Sequence, residues 1–319
     1  MTVDIQRVAI VGAGYMGGGI AQVLAMAGVD VVIVDANPEI TQRHLERLRR
    51  EAEEFEQQGL FDPGSADLVR ANLSAADSLP EAVAEADMIE EAVLEKPEIK
   101  GPVLRSIEEA ARPDAVIGSN TSTIPIGGLA ESLQHSERFL GVHFSNPAPF
   151  IPGVELITHA GTSEDTIQAA EALVARTGKL TARVNDKAGF VLNRLQYVLL
   201  KEAITLVEEG VATAEDVDTI VRTTFGYRLP FFGPFAIADM AGLDTYVNSF
   251  ATLQAEFGDR LAPPQVLLDL VAEGKHGTKT GAGFLELEPD QREALIAYRN
   301  RAYHLMGRLL DELGPSPLA

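Results

Sequence analysis

The stretch Val8-Ala9-Ile10-Val11-Gly12-Ala13-Gly14-Tyr15-Met16-Gly17 constrains this chain more than any other. It sets G-x-G-x-x-G between a β-branched run, Gln6–Val11, and a helical stretch from Met16 to Ala27. A second run, Asp30–Asp35, completes a βαβ unit of ~30 residues. Gly12 allows the tight turn, Gly14 lets the backbone approach a pyrophosphate, and Gly17 permits close helix–strand packing, with Tyr15 and Met16 inside the loop. The free N–H groups and dipole of the helix N-terminus then hold the phosphates. Asp35, ending the second strand, is placed to accept hydrogen bonds from a ribose. A carboxylate there repels a 2′-phosphate, and Ala36 and Asn37 supply no arginine, which favours NAD over NADP. The bland alternative is a structural glycine turn, but strand, helix and acid all agree with the motif.

Beyond this unit, Asn37-Pro38-Glu39 reads as an N-cap followed by a helix start, and Leu45, Leu48, Ala52 and Phe55 form an amphipathic stripe. Further strands are expected at Met88–Val93, Ala115–Ser119, Phe139–His143 and Leu180–Val184. Strands alternating with helices imply a parallel, doubly wound sheet to about residue 184. After Asn185 strand-like runs are scarce, so the expected layout is an α/β domain over 1–184 and a mainly helical domain over 185–319. Gly189–Glu209 is apolar nearly all round and is expected to be buried, in part against another subunit. Thr213-Ala-Glu-Asp216 reads as a capped helix start, and Pro315–Ala319 as a loose end.

Lys and Arg number 26 against 47 Asp and Glu, a net charge of −21, which disfavours nucleic acid and anionic membranes as partners. The chain has no cysteine, so disulfides and thiolate chemistry are excluded, and no His/Asp/Glu spacing points to a metal. Val8–Val29 is 22 residues without a charge, but six are glycine, which argues for strand, turn and helix in a cytoplasmic protein rather than a membrane span.

His143, at the end of an expected strand, lies where doubly wound enzymes bind ligands, and imidazole suits proton transfer near neutrality. Glu155 follows twelve residues on; spacing alone leaves open a core histidine and a surface glutamate. Here the segments VAIVGAGYMGGGIA, EAVLEKPEIK, GSNTSTIPI, FLGVHFSNPAPF, KAGFVLNRL and GTKTGAGF decide the matter. With them, the chain resembles the 3-hydroxyacyl-CoA dehydrogenase family over roughly residues 6 to 285. The resemblance implies an N-terminal Rossmann domain, a helical dimerisation domain, a homodimer and NAD as cofactor. It implies His143 as catalytic base, Glu155 as its orienting partner, and Ser122 and Asn193 as groups that hold the reacting oxygen and position substrate. Glu95, Lys100, Asn146 and Lys279 match family residues lining the NAD site. The plainer roles are helix capping for Ser122, backbone satisfaction for Asn193 and solvated charges for the two lysines.

Two departures bear on the substrate. Acyl-CoA members carry lysine on the helix after the second strand, whereas Glu51–Leu60 has four glutamates and no lysine, so CoA phosphates meet a repulsive surface unless Arg47, Arg49 and Arg50 compensate. The segment Gly226–Phe235 is longer than in those members and carries Arg228, whose fork suits a carboxylate; the alternative is a surface or interface ion pair. The chain therefore looks more like the free-acid branch, the gulonate dehydrogenase/lambda-crystallin type and the pyridine-carboxylate dehydrogenase of vitamin B6 breakdown. The expectation is hydride transfer between NAD and a hydroxyl β to a carboxyl or thioester group, leaning to a small free hydroxy-carboxylate. L-3-hydroxyacyl-CoA, an aldehyde-bearing carboxylate and a non-catalytic NAD-binding role are the alternatives.

Overall fold

The computed structural model describes residues 4–288 and 291–317, so Leu318 and Ala319 of the expected loose end lie outside it. Two compact units divide the chain, Met1–Val198 and Leu199–Ala319. The first contains β1 (Arg7–Val11), α1 (Tyr15–Met26), β2 (Asp30–Val34), α2 (Pro38–Gln57), α3 (Ser65–Asn72), β3 (Leu73–Ala75), α4 (Leu79–Val83) and β4 (Met88–Glu91). It continues with α5 (Pro97–Ala110), β5 (Val116–Ser119), α6 (Ile126–Ala130), β6 (Phe139–Phe144), β7 (Gly153–Thr158), α7 (Glu164–Arg176) and β8 (Leu180–Asn185). Helix α8 (Leu192–Glu208) runs across the boundary. The second unit adds α9 (Ala214–Thr223), α10 (Pro234–Ala241), α11 (Leu243–Phe257), α12 (Gln265–Ala272) and α13 (Gln291–Leu313).

The eight strands form one sheet in the order β3-β2-β1-β4-β5-β6-β7-β8. The reversal of strand order at β1/β4 makes the crevice where this architecture binds nucleotides. Helices cover both faces, which is why β1, β2 and β4–β6 are buried along nearly their whole length. Alternate residues split between two cores: Val8, Ile10, Leu140 and Val142 pack with Ile20 of α1 and Leu173 of α7, while Ala9, Val11, Ile89 and Ile117 pack with Leu104 and Ile107 of α5. The Asn37 side chain caps α2 by accepting from Ile40 N, and Leu45, Leu48 and Ala52 are its buried stripe. The uncharged stretch Val8–Val29 is β1, the turn and α1; among the described residues no helix is long and apolar enough to cross a membrane.

Three expectations need correction. The sheet is not wholly parallel: β7, a strand missed in the sequence, runs antiparallel to β6. Its six residues carry Glu155 in their middle, and a carboxylate inside a short run hides a strand from hydrophobic patterning. The short β3 was missed as well. Helix α8, expected to be buried, has no buried residue, and Leu195, Tyr197, Val198 and Leu200 stand more than half exposed. Apolar periodicity reports a face seeking cover, not what covers it.

Candidate functional site

The glycine loop is built as the sequence implies. Gly12 has φ +96°, and a Cβ there would press on the Ala92 carbonyl; a Cβ on Gly17 would collide with the Gly12 carbonyl. Gly14 faces open space, the room a pyrophosphate needs at the start of α1. Gly12, Gly14, Asp35, Val93 and Leu79 line a groove of about 790 Å³. The Asp35 carboxylate accepts from Ala13 N (2.8 Å) and Ala36 N (2.7 Å), which fixes it at the groove with lone pairs to spare. Tyr15 is exposed beside the loop, and Met16 is partly buried behind it.

His143 and Glu155 meet because β6 and β7 form an antiparallel pair in which they are directly opposite. Glu155 Oε2 lies 2.8 Å from His143 Nδ1, and both side chains are largely buried. Glu155 Oε1 accepts from Val191 N (2.9 Å) and Leu192 N (3.1 Å), the first free amides of α8. Burial pushes the Glu155 pKa upward, but the hydrogen bonds from His143, Leu192 and Val191 outweigh it and hold the carboxyl below its ordinary range. An ionised Glu155 accepts a hydrogen bond from Nδ1–H, leaving the Nε2 lone pair available as a base.

Phe190, which the sequence reading passed over, shapes this corner. It takes φ +51°, is almost wholly buried, and lies with its ring centroid 5.8 Å from that of His143. With Gly189 (φ +76°) it turns the chain so that the next two amides aim at Glu155. A bulky residue in the left-handed region is the kind of backbone strain that concentrates at functional sites.

The loop after β5 is pinned from two sides. Glu95 Oε1 accepts from Thr121 Oγ1 (2.7 Å), Ser122 N (2.8 Å) and Thr123 N (3.1 Å). Burial raises the Glu95 pKa, yet these bonds and the Lys100 charge bring it below normal. Asn193 Nδ2 donates to the Ser122 carbonyl at 2.7 Å. The Ser122 hydroxyl itself makes no hydrogen bond among the described residues, so it is free for a ligand oxygen. Asn120 Oδ1 accepts from Phe144 N (2.8 Å), fixing the end of β6, and Asn146 stands exposed just beyond.

Lys100 differs from both of its expected roles. It is wholly buried, neither a solvated charge nor open to direct contact with a ligand. Its Nζ bonds both oxygens of buried Glu91 (2.8 and 3.0 Å) and lies 3.6 Å from Glu95 Oε2. Glu91 also accepts from Ser119 Oγ (2.6 Å) and Val93 N (2.7 Å). The cation therefore acts through carboxylates, steadying Glu95 and with it the Ser122 loop. The signal for this was two consecutive glutamates inside the apolar strand Met88–Glu91.

In the second unit, Lys279 Nζ is bound by Asp244 Oδ1 at 2.7 Å, and this bond lowers the Asp244 pKa. Arg228 lies in the turn between α9 and α10, and its guanidinium has no partner among the described residues. Tyr227 Oη donates to the Tyr303 carbonyl of α13 (2.7 Å), and Phe231 and Phe232 pack against the Tyr303 ring. The aromatic contacts hold the turn while leaving Arg228 uncommitted.

The family described as 3-hydroxyacyl-CoA dehydrogenase, NAD binding domain, matches residues 7–187, and the corresponding C-terminal domain matches residues 189–287. The chain is 35% identical to 5-formyl-3-hydroxy-2-methylpyridine 4-carboxylate 5-dehydrogenase of Mesorhizobium japonicum, over 96% of this chain and 99% of that protein. It is 34% identical to a probable 3-hydroxybutyryl-CoA dehydrogenase of Bacillus subtilis, over 89% and 98%. Among solved structures, a 3-hydroxyacyl-CoA dehydrogenase from Archaeoglobus fulgidus matches with a TM-score of 0.80 at 30% identity, covering 95% of this chain and 99% of that one. A pyridine-carboxylate 5-dehydrogenase described as an NAD⁺-dependent dismutase matches with a TM-score of 0.72 at 35% identity, over 96% and 99%. With its glycine loop, its Rossmann sheet and two family domains in register, the chain belongs to the 3-hydroxyacyl-CoA dehydrogenase family and is an NAD-dependent oxidoreductase acting on CH–OH groups.

Proposed function

We propose that this enzyme oxidises, reversibly, the β-hydroxyl of a small free hydroxy-carboxylate. His143 Nε2 takes the hydroxyl proton while Glu155, held anionic, stabilises the imidazolium. The Ser122 hydroxyl and Asn193 hold the reacting oxygen. Bound NAD supplies the hydride acceptor, with Gly12, Gly14, Tyr15, Met16, Gly17 and Asp35 lining its site, Glu95, Asn146 and Lys279 contributing, and Lys100 acting through its carboxylate partners. The observation that carries this reading is the 2.8 Å contact between His143 and Glu155. His143→Ala is expected to lower kcat by ~10²–10⁴. A loss of only a few-fold would revive the non-catalytic reading.

The preference for a free acid rests on helix α2. Each arginine that might have met CoA phosphates is engaged: Arg47 Nη1 holds both oxygens of Glu51 at 3.0 Å while Nη2 reaches the Ala13 and Gly14 carbonyls. Arg49 donates to Leu73 O, and Arg50 pairs with Glu54 at 3.7 Å. Arg228 is an uncommitted cation suited to a substrate carboxylate. The deciding experiment compares kcat/KM for 3-hydroxybutyryl-CoA and for CoA-free hydroxy acids at matched concentration. Turnover of the thioester alone overturns the free-acid assignment in favour of the activity named for the Bacillus subtilis relative; an aldehyde-bearing carboxylate, by analogy with the Mesorhizobium relative, belongs in the same panel. An unchanged KM for the best acid in Arg228→Ala would remove that residue from the site.

The same reading assigns residues 1–184 to NAD binding and 185–319 to substrate binding and dimerisation, in a cytoplasmic homodimer. The bare apolar face of α8 supports the dimer, and the absence of cysteine suits a reducing compartment. Sedimentation at micromolar concentration tests the oligomer.

A further inference from the structure

A second concave site lies in the first unit, with walls from the C-terminal half of α1, the turn before α3, α3 itself, the loop after β6 and the turn between α7 and β8. It encloses about 400 Å³, within the range of small-ligand pockets. Two cations line it. Lys179 is nine-tenths buried, yet its Nζ meets only the Ile151 carbonyl (2.6 Å), and no carboxylate pairs with it among the described residues. Burial accordingly pushes its pKa down. Arg176 uses Nη1 on the Ile5 carbonyl (2.6 Å), and its remaining N–H donors have no partner among the described residues. The Ser65 and Thr177 hydroxyls also line the pocket, as does Asp62, an exposed residue that pairs with neither cation. A buried ammonium without counter-charge is unfavourable, and an anionic ligand would relieve it.

The rest of the lining is apolar. Leu60, Leu68 and Phe150 stand about half exposed around the pocket. The pocket shares no lining residue with His143 or Glu155, and it adjoins the small cleft beside Tyr15 and Arg47, with Pro149 and Phe150 lining both. Between that cleft and the pocket stand three rings in mutual contact, Phe55, Phe61 and Phe150, with centroids 5.1–5.9 Å apart.

We propose that this pocket is a second ligand site for a small organic carboxylate with a flat apolar body, its carboxylate on Lys179 and Arg176 and its body against Phe61, Leu68 and Phe150. Benzoate is the probe, titrated into the full-length protein by calorimetry, with inorganic phosphate in a parallel arm. Saturable benzoate binding is expected, weakened about ten- to hundredfold by Lys179→Met, the loss of one charged hydrogen bond. Leu68→Trp, which fills the pocket without touching either cation, is expected to abolish it. Arg228→Ala is expected to leave it intact, which separates this site from the catalytic one. The proposal is overturned if no saturable binding occurs, if both pocket variants bind benzoate as the wild type does, or if phosphate binds and benzoate does not. Should Lys179→Met fail to fold, Leu68→Trp decides the question alone.

Discussion

Glu90 and Glu91 are neighbours on β4, both wholly buried, and their side chains enter opposite faces of the sheet. Glu91 has every partner it can use: the Lys100 ammonium, the Ser119 hydroxyl and the Val93 amide. Glu90 has none; both of its oxygens are buried without a hydrogen bond, beside Ile10 on β1 and Gly118 on β5. A Cβ at position 118 would overlap the Glu90 carboxyl, so glycine there is what leaves room for the acid. Burial, reinforced by the Glu91 charge, drives the Glu90 pKa well above normal, which favours the neutral acid. The difference shows that burial alone does not set a carboxylate's role. A partnered one organises the catalytic loop; an orphaned one is a cost carried by the fold.

Four substitutions probe what partners do for buried carboxylates. Glu91→Leu strands the Lys100 charge and is expected to destabilise by about 3–5 kcal/mol in denaturant melts, with most of the loss recovered in Glu91→Leu/Lys100→Met. A Glu91→Leu variant as stable as the wild type would mean that the pair contributes nothing. Next in size is Glu155→Gln, which keeps the fold of the hairpin but removes the anion behind the imidazolium. Its kcat should fall roughly ten- to hundredfold with KM little changed, in steady-state assays. The smallest effect belongs to Glu90→Leu, expected to stabilise by about 1–2 kcal/mol because an unsatisfied polar group is removed.

Glu90 also carries a signature in pH. With a folded-state pKa above the ordinary 4.5, its contribution is fully present below the unfolded value and is lost as pH rises through the folded one. Glu155 and Glu95, held below 4.5, act in the reverse sense: their stabilisation is present above that pH and lost on acidification. Thermal melts across pH should therefore show a decline as pH rises above the ordinary 4.5 that Glu90→Leu flattens. An identical slope in the variant would assign the decline to other groups.

The nucleotide-binding half was legible because its signals are local. Glycine spacing, β-branched runs and the Asn37 cap each act within a few residues, and β1, α1, β2 and α2 follow from them. From spacing alone His143 and Glu155 were legible only as two residue types twelve apart, and their pairing came from the family resemblance. Their contact depends on a cross-strand register, and β7 chooses its partner through long-range pairing that no short window encodes. Phe190 was missed because nothing in a phenylalanine announces a left-handed backbone; the geometry is imposed by what surrounds it. The burial of Lys100 was not legible, because the resemblance put it at the NAD site and charge alone argues for the surface, whereas burial depends on Glu91 arriving from a neighbouring element.

The β6–β7 ladder has one further consequence. Because His143 and Glu155 are aligned by backbone hydrogen bonds between strands, the eight residues joining them, 145–152, bear none of the burden of keeping the pair in contact. Substitutions at exposed positions of that segment can reshape what enters beside the histidine while the two side chains stay in register, provided that Ala148, buried in the core, and the Ile151 carbonyl that accepts from Lys179 keep their places. A fold arranged this way can acquire new substrates by altering one loop, without having to reinvent its chemistry.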